Sequence, residues 1–375
     1  MRGERDQASR YPRQLHTLFR RGGRVRAGGM RRTGLLGAVT VAAAVVLVPA
    51  AGMAGTGSSQ ALGAGAASAR NAAGTGPFVT LLFSRTEMSA ADNCVEDDSN
   101  IATLDGTVAP YLQSLGMAGT GTLVTKKTGD TTRNCTHYND DLTASWADAT
   151  SLAQNFGWSF VSHTATYPTL AQIQSFTPAE AMAQTCGSLA TLKAHGLPGA
   201  AGMIAYPGSY TKNPAVVKLQ TDYGQKCFDW GRQYDHAKHG QNVLSTASKT
   251  PPYWVYPVAV VGGPCNVPTA PCYTVHVQNG RYTMPSTIIN EINKLKPGMW
   301  YIFQAYVLVT GKSPKYAHDK MRWDCTSSDP ALHWTNVTVR YCYSDYQQII
   351  QAIANNPNIT VTDPQTLGKA YGRPF

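Results

Sequence analysis

The chain has 375 residues, which allows one large barrel behind an extension or two domains. Charged residues make up 14% of it, which excludes a disordered polyelectrolyte or a coiled coil. The formal charge of +10 suggests a polyanion partner, but eleven arginines against Glu4 and Asp6 place +9 of it in residues 1–75; the +1 on the remaining body leaves no basis for a nucleic-acid groove.

Residues 1–54 read as an export signal or an N-terminal anchor. The uncharged stretch Thr33 to Ala54 follows Arg31-Arg32 directly. Its apolar core, Leu35 to Val48, is fourteen residues long, shorter than the roughly 20 needed to cross a bilayer. Arg31-Arg32-Thr33-Gly34-Leu35-Leu36 is similar to a twin-arginine motif with Leu35 at the usual aromatic position, and an ordinary signal stays equally open. Membrane contact is expected only if this segment is not cleaved. Residues 55–76, rich in Gly, Ala and Ser, form a linker, and residues 77–375 the folded domain.

All eight cysteines fall in that domain, an even number that predicts disulfides in an oxidising compartment and a secreted or cell-surface protein. No Cys-x-x-Cys supports a thiolate zinc site. Neighbour pairing is expected (94 with 135, 186 with 227, 265 with 272, 325 with 342), because each pair closes a modest loop.

Apolar runs predict strands over Phe78–Phe83, Gly121–Thr125, Ser159–His163, Gly202–Tyr206, Lys226–Trp230, Trp254–Val261, Trp300–Val309 and Ile359–Thr362. Helical spacing alternates with them over Thr107–Leu115, Asp148–Phe156, Pro178–His195, Asn213–Tyr223, Ser286–Leu295 and Tyr346–Ala354. Thr177-Pro178-Ala179-Glu180 reads as a helix start. The alternation points to a single α/β domain, a distorted (β/α) barrel stapled by disulfides.

The first strand, Ser162-His163-Thr164-Ala165-Thr166-Tyr167-Pro168 after a Gly-Trp strand, and Ala205-Tyr206-Pro207-Gly208 at a later strand end occur in an order that resembles the polysaccharide deacetylases of the NodB-homology class. The likeness is nearest to a divergent secreted actinobacterial branch. It implies a hydrolase of carbon–nitrogen (N-acetyl) or acyl bonds on cell-wall or extracellular carbohydrate, with one zinc-like divalent metal. The motifs are degenerate. Where the family has an Asp-Asp pair, this chain has Ser84-Arg85; the second metal-binding imidazole is replaced by Tyr167, and Gln304 stands where a late strand would carry a catalytic His.

Amide hydrolysis needs a polarised carbonyl, a base for the attacking water and an acid for the leaving amine. Glu87 and Asp92, in the long loop after the first strand, are the candidates for base or metal ligand, with His163 as acid or ligand. Metal would be held by His163 and Asp92. Candidate substrate contacts are Arg85, Tyr167, Tyr206, Asp229, Trp230 and Arg232, as clamps and stacking platforms. Each has a structural alternative: packing for the tyrosines, a satisfied core position for His163, a solvated surface for the acidic loop. A catalytically degenerate barrel that binds glycan without turnover therefore stands beside the hydrolase reading, and a two-carboxylate glycosidase is a third option. A monomer is expected.

Overall fold

The computed structural model describes residues 76–83, 104–128, 145–207, 213–232, 242–243, 254–255, 259–261, 274–275, 285–305, 307–312, 324–328, 340–373 and 375. All lie in the compact unit Gln60–Phe375. The leader, the linker, Arg85, Glu87 and Asp92 fall outside the described residues.

The architecture is mixed α/β, built on a curled, largely parallel sheet. Strand β1 (Phe78–Phe83) is its centre. One edge of β1 pairs along all six residues with β10 (Met299–Ala305). The other edge is shared: Leu82 and Phe83 pair with β2 (Thr120–Leu123), while Phe78 and Val79 pair with β13 (Thr360–Val361). From β2 the sheet continues through β3 (Ser159–Ser162), β4 (Met203–Ala205), β5 (Trp230–Arg232) and β7 (Trp254–Val255). On the far side β10 is followed by β8 (Ala259–Val261) and β9 (Thr274–Val275). The antiparallel exception is β6 (Asn242–Val243), against the start of β10. A separate two-stranded sheet joins β11 (Val307–Val309) to β12 (Arg340–Cys342).

Parallel neighbours require crossovers, and helices supply them. In chain order these are α1 (Ala109–Ser114), α2 (Trp146–Phe156), α3 (Leu170–Ser175), α4 (Pro178–Gln184), α5 (Cys186–Ala194), α6 (Pro214–Lys218), α7 (Pro285–Asn293) and α8 (Tyr343–Asn355); α9 (Pro364–Ala370) follows the last strand. Their starts are encoded locally. Ser145 and Asp148, Thr169 and Gln172, and Thr177 and Glu180 form reciprocal capping boxes on α2, α3 and α4. Gly157 ends α2 at φ 68°, a left-handed position that suits glycine.

Side-chain alternation along the strands divides the core in two. Val79, Leu81, Phe83, Phe160, Ile204, Tyr301 and Phe303 meet the helices in the outer cluster, together with Leu112, Leu152, Leu192 and Ile349. Phe78, Leu82, Val161, Met203, Trp230, Trp300 and Ile302 form the inner cluster with Leu367 of α9. Trp300 Nε1 donates to Thr80 Oγ1 at 3.0 Å on this inner face. Trp230 Nε1 donates to the Pro364 carbonyl at 2.9 Å, so α9 covers the N-terminal end of the inner face.

Several expectations shift. The run Trp254–Val261 becomes two strands at opposite sides of the sheet, β7 beside β5 and β8 beside β10; Pro257, without an N–H, lies between them. The fifth strand starts later than Lys226, because Gly224–Lys226 is a tight helical turn and Cys227 is bonded to Cys186. The helix expected over Pro178–His195 breaks at Thr185, whose backbone leaves the helical region at φ −105°, ψ −90° and whose hydroxyl donates to the Ala181 carbonyl. Two short helices, α3 and α9, were not expected. The bonds Cys186–Cys227 and Cys325–Cys342 are the neighbour pairs anticipated, each with Cα atoms 5.5 Å apart; the other two pairs lie outside the described residues. No described helix is long and apolar enough to cross a membrane.

Candidate functional site

Along the inner face, polarity changes from one end of the strands to the other. The apolar cluster closed by α9 fills most of the N-terminal half, and Leu82 and Val161 carry it up to the level of Gln304 and Thr122. Continuing the same alternation, the inward positions at the C-terminal ends are Thr122 on β2, His163 just after β3, Arg232 at the end of β5 and Gln304 near the end of β10, all buried. C-terminal strand ends are where parallel α/β sheets place their ligands.

His163 is held precisely. Its backbone N–H continues the ladder to the Leu123 carbonyl at 2.8 Å. Its Nδ1 lies 2.6 Å from the Ala205 carbonyl. A carbonyl can only accept, so Nδ1 carries the hydrogen, and in the neutral ring Nε2 holds the lone pair that can take a proton or bind a metal. Ala205 pairs with Arg232 across β4 and β5, which places the imidazole and the guanidinium in one row, two strands apart.

The turn after His163 carries two non-glycine residues in the left-handed region, Thr164 at φ 69° and Tyr167 at φ 57°. Each conformation costs roughly 1–2 kcal/mol and persists only where its surroundings enforce it. Here the Thr164 N–H donates to Ser162 Oγ at 3.0 Å and the Tyr167 N–H to Thr164 Oγ1 at 3.1 Å. Gln184 Oε1 accepts from both the N–H and the hydroxyl of Thr166. Lys126 N–H adds a bond to the Ala165 carbonyl at 2.8 Å. The result sets the Tyr167 ring edge-on to the imidazole, with centroids 4.8 Å apart.

Gln304 is fully buried, and neither Oε1 nor Nε2 has a hydrogen-bond partner. An unsatisfied buried amide costs about 1–3 kcal/mol. Sequence reasoning noted Gln304 only as the replacement for a histidine; its position in the inward row of β10 was the signal that could have placed it at the site.

The remaining sequence candidates separate. Tyr206 is buried on the outer face, packed in the helix-side cluster, so its ring is not offered to a sugar at the mouth. Trp230 is fully buried at the start of β5, 5.2 Å from the Trp300 ring and beneath α9, so its place is the closed end and not the rim with Arg232. The reason is the strand shift: with β5 running 230–232, Asp229 and Trp230 precede or open the strand and only Arg232 reaches its C-terminal end. Asp229 is buried beside α9; its Oδ1 accepts the Phe375 N–H at 3.1 Å, and burial pushes its carboxyl up to about 6 against the pull of Phe375, Arg373 and Lys369. Tyr167 and His163 are brought together, with Arg232 in the same row as the imidazole's anchor.

No family model matches this chain, and no curated protein matches it. Solved structures similar to part of it include polysaccharide deacetylase BC0361 from Bacillus cereus, 17% identical, with 37% of this chain and 36% of that one covered at a TM-score of 0.27. IcaB from Ammonifex degensii is 15% identical, with 36% of this chain and 56% of that one covered, also at 0.27. The chain thus spans between about a third and just over half of the length of these neighbours.

A zinc site of the hydrolytic kind takes three protein ligands and keeps a fourth position open. The described residues contain no group of three His, Cys, Asp or Glu able to hold a metal, and His163 is the one such side chain in the described inner row. They do not by themselves make a metal centre, and no step is assigned to one.

Proposed function

We propose that residues 77–375 form a polysaccharide-deacetylase-like barrel that takes a carbohydrate at the C-terminal mouth of its sheet. The observation that carries this reading is the polarity of the inner face: apolar and closed by α9 at one end, and lined at the other by the buried polar side chains of His163, Arg232 and Gln304. A hydroxyl- and amide-rich ligand supplies the acceptor and donor that the buried Gln304 carboxamide lacks. The motif likeness around His163 and Ala205-Tyr206-Pro207-Gly208 names the ligand class.

In the catalytic form of this reading, the protein cleaves N-acetyl or acyl groups from cell-wall or extracellular glycan. His163 Nε2 then exchanges the proton with the attacking water or the leaving group, while Ala205 holds the tautomer and Tyr167 the ring orientation. Glu87 or Asp92 would supply the carboxylate and, with His163, two ligands of a zinc-like ion, which would polarise the carbonyl; the described residues provide no third ligand. In the second form the barrel binds glycan without turnover, which Ser84-Arg85 in place of the Asp-Asp pair favours. The leader and the disulfides support export and a secreted or cell-surface location.

The test is acetate release from N-acetylated oligosaccharides by the full chain, with and without chelator, beside calorimetric titration of the same ligands. Chelator-sensitive acetate release that disappears in His163→Ala establishes the hydrolase. Binding without acetate establishes the glycan-binding form. Neither binding nor release removes both.

A further inference from the structure

We propose that the break between α4 and α5 is the support that positions Tyr167 against His163, with Gln184 and Ser188 as positioning residues and the Cys186–Cys227 disulfide as their lock. The placement of the two rings is tested without ligand, and its effect on glycan affinity rests on the reading above.

A turn with Thr164 and Tyr167 both in the left-handed region needs outside support, and the break grips it at two points. At the first, Gln184 is the buried last residue of α4. Its Oε1 accepts the Thr166 N–H at 3.0 Å and its Nε2 donates to the Thr166 hydroxyl at 3.0 Å. At the second, a chain of hydroxyls runs from the turn into α5. Ser188 Oγ donates to the Thr185 carbonyl at 2.6 Å, so in its 2.6 Å contact with Ser162 Oγ it must accept. Ser162 Oγ donates there and accepts the Thr164 N–H at 3.0 Å. Each hydroxyl gives one hydrogen and takes one, which fixes the direction of the chain from the Thr164 amide to the Thr185 carbonyl. Ser162, Thr164, Thr185 and Ser188 are all fully buried, where water does not replace a lost partner.

Both grips come from the stretch 184–188, whose middle residue, Cys186, is bonded to Cys227. Cys227 lies just ahead of β5, so the bond ties this stretch to the strand beside β4. The imidazole has a separate anchor, because the Ala205 carbonyl that accepts from Nδ1 belongs to β4. His163 is thus held from β4 and the tyrosine that faces it from the break, with the ring centroids 4.8 Å apart. Loosening the break shifts Tyr167 relative to an imidazole whose own hydrogen bond stays in place.

The experiment is NMR of the full chain with ring-labelled histidine, beside calorimetric titration with an N-acetylated tetrasaccharide. The His163 signals are those lost in His163→Ala, and Tyr167→Leu marks where they move when the aromatic edge is gone. Gln184→Leu and Ser188→Ala should each move them toward that position and weaken binding by about fivefold, the worth of one hydrogen bond. Gln184→Glu keeps the acceptor for Thr166 and should return the signals toward the parent. Cys186→Ser combined with Cys227→Ser should act as Gln184→Leu does. Ser188→Ala removes a single oxygen, so the test stands if a larger change fails to fold. A lowered thermal midpoint with unmoved His163 signals in Gln184→Leu and Ser188→Ala overturns the proposal, whatever the glycan affinity. Moved signals in a chain that binds no glycan uphold the positioning and count against the glycan reading alone.

Discussion

Gln304 and Asp229 are two buried polar residues with opposite consequences. Gln304 bears an unsatisfied amide at the open end of the inner face. Gln304→Leu, close in shape, removes that cost, and the thermal midpoint should rise by about 2–4 °C while glycan affinity falls at least tenfold; a lowered midpoint in a melting scan would contradict this. Asp229 is a stability switch at the closed end. Its folded carboxyl, raised to about 6, keeps a proton that the unfolded chain releases near 3.8. The folded state therefore binds more protons between those values, so stability is greatest below pH 4, declines as pH rises to 6 and stays lower above it. Asp229→Asn keeps an acceptor for the Phe375 N–H. It should flatten this decline and be more stable than the parent at pH 7 by about 2–3 kcal/mol, as urea titrations at pH 4 and pH 7 will show.

At the scale of elements, one helix start was legible in four residues, Thr177-Pro178-Ala179-Glu180, where Pro at the first helical position reinforces the cap; the boxes at Ser145 and Thr169 lack that proline and were not read. Strand β1 was legible in full because an unbroken apolar run leaves no ambiguity of bounds. Long-range geometry was not legible. The break at Thr185 coincides with the disulfide that ties α5 to the turn before β5, and no local pattern announces that bond. Replacing Cys186 and Cys227 together by Ser should cost about 4 kcal/mol, from a loop with a sequence separation of 41, and loosen the register of β5. The neighbouring α9 escaped notice although Asp363-Pro364 is a capping signal, because the segment is only seven residues long. It is nonetheless the lid of the inner face. A Cβ on Gly368 would stand 2.5 Å from Asp229 Oδ2, so the helix approaches β5 too closely for any other residue. Leu367→Ala should cost about 2–5 kcal/mol in denaturant unfolding, with a smaller loss pointing to a site that collapses around the change.

For the whole molecule, the organising feature is the axis from the apolar end under α9 to the polar mouth. Sequence reading found the alternation of strands and helices, and it singled out His163 and Arg232. It put Trp230 beside them, because a one-dimensional pattern cannot show that two residues in one strand occupy opposite ends of a core. It assigned Tyr206 to the ligand for the same reason: adjacent strand residues face opposite sides, and Ala205 and Tyr206 divide between the inner row and the helices. The central claim is that ligand enters at the mouth marked by His163, Arg232 and Gln304. Hydrogen–deuterium exchange of the full chain, with and without a saturating N-acetylated oligosaccharide, tests it most directly. The account predicts slowed exchange in the turn 164–168 and no change in 363–375; protection confined to 363–375, with the turn after His163 unaffected, would contradict it.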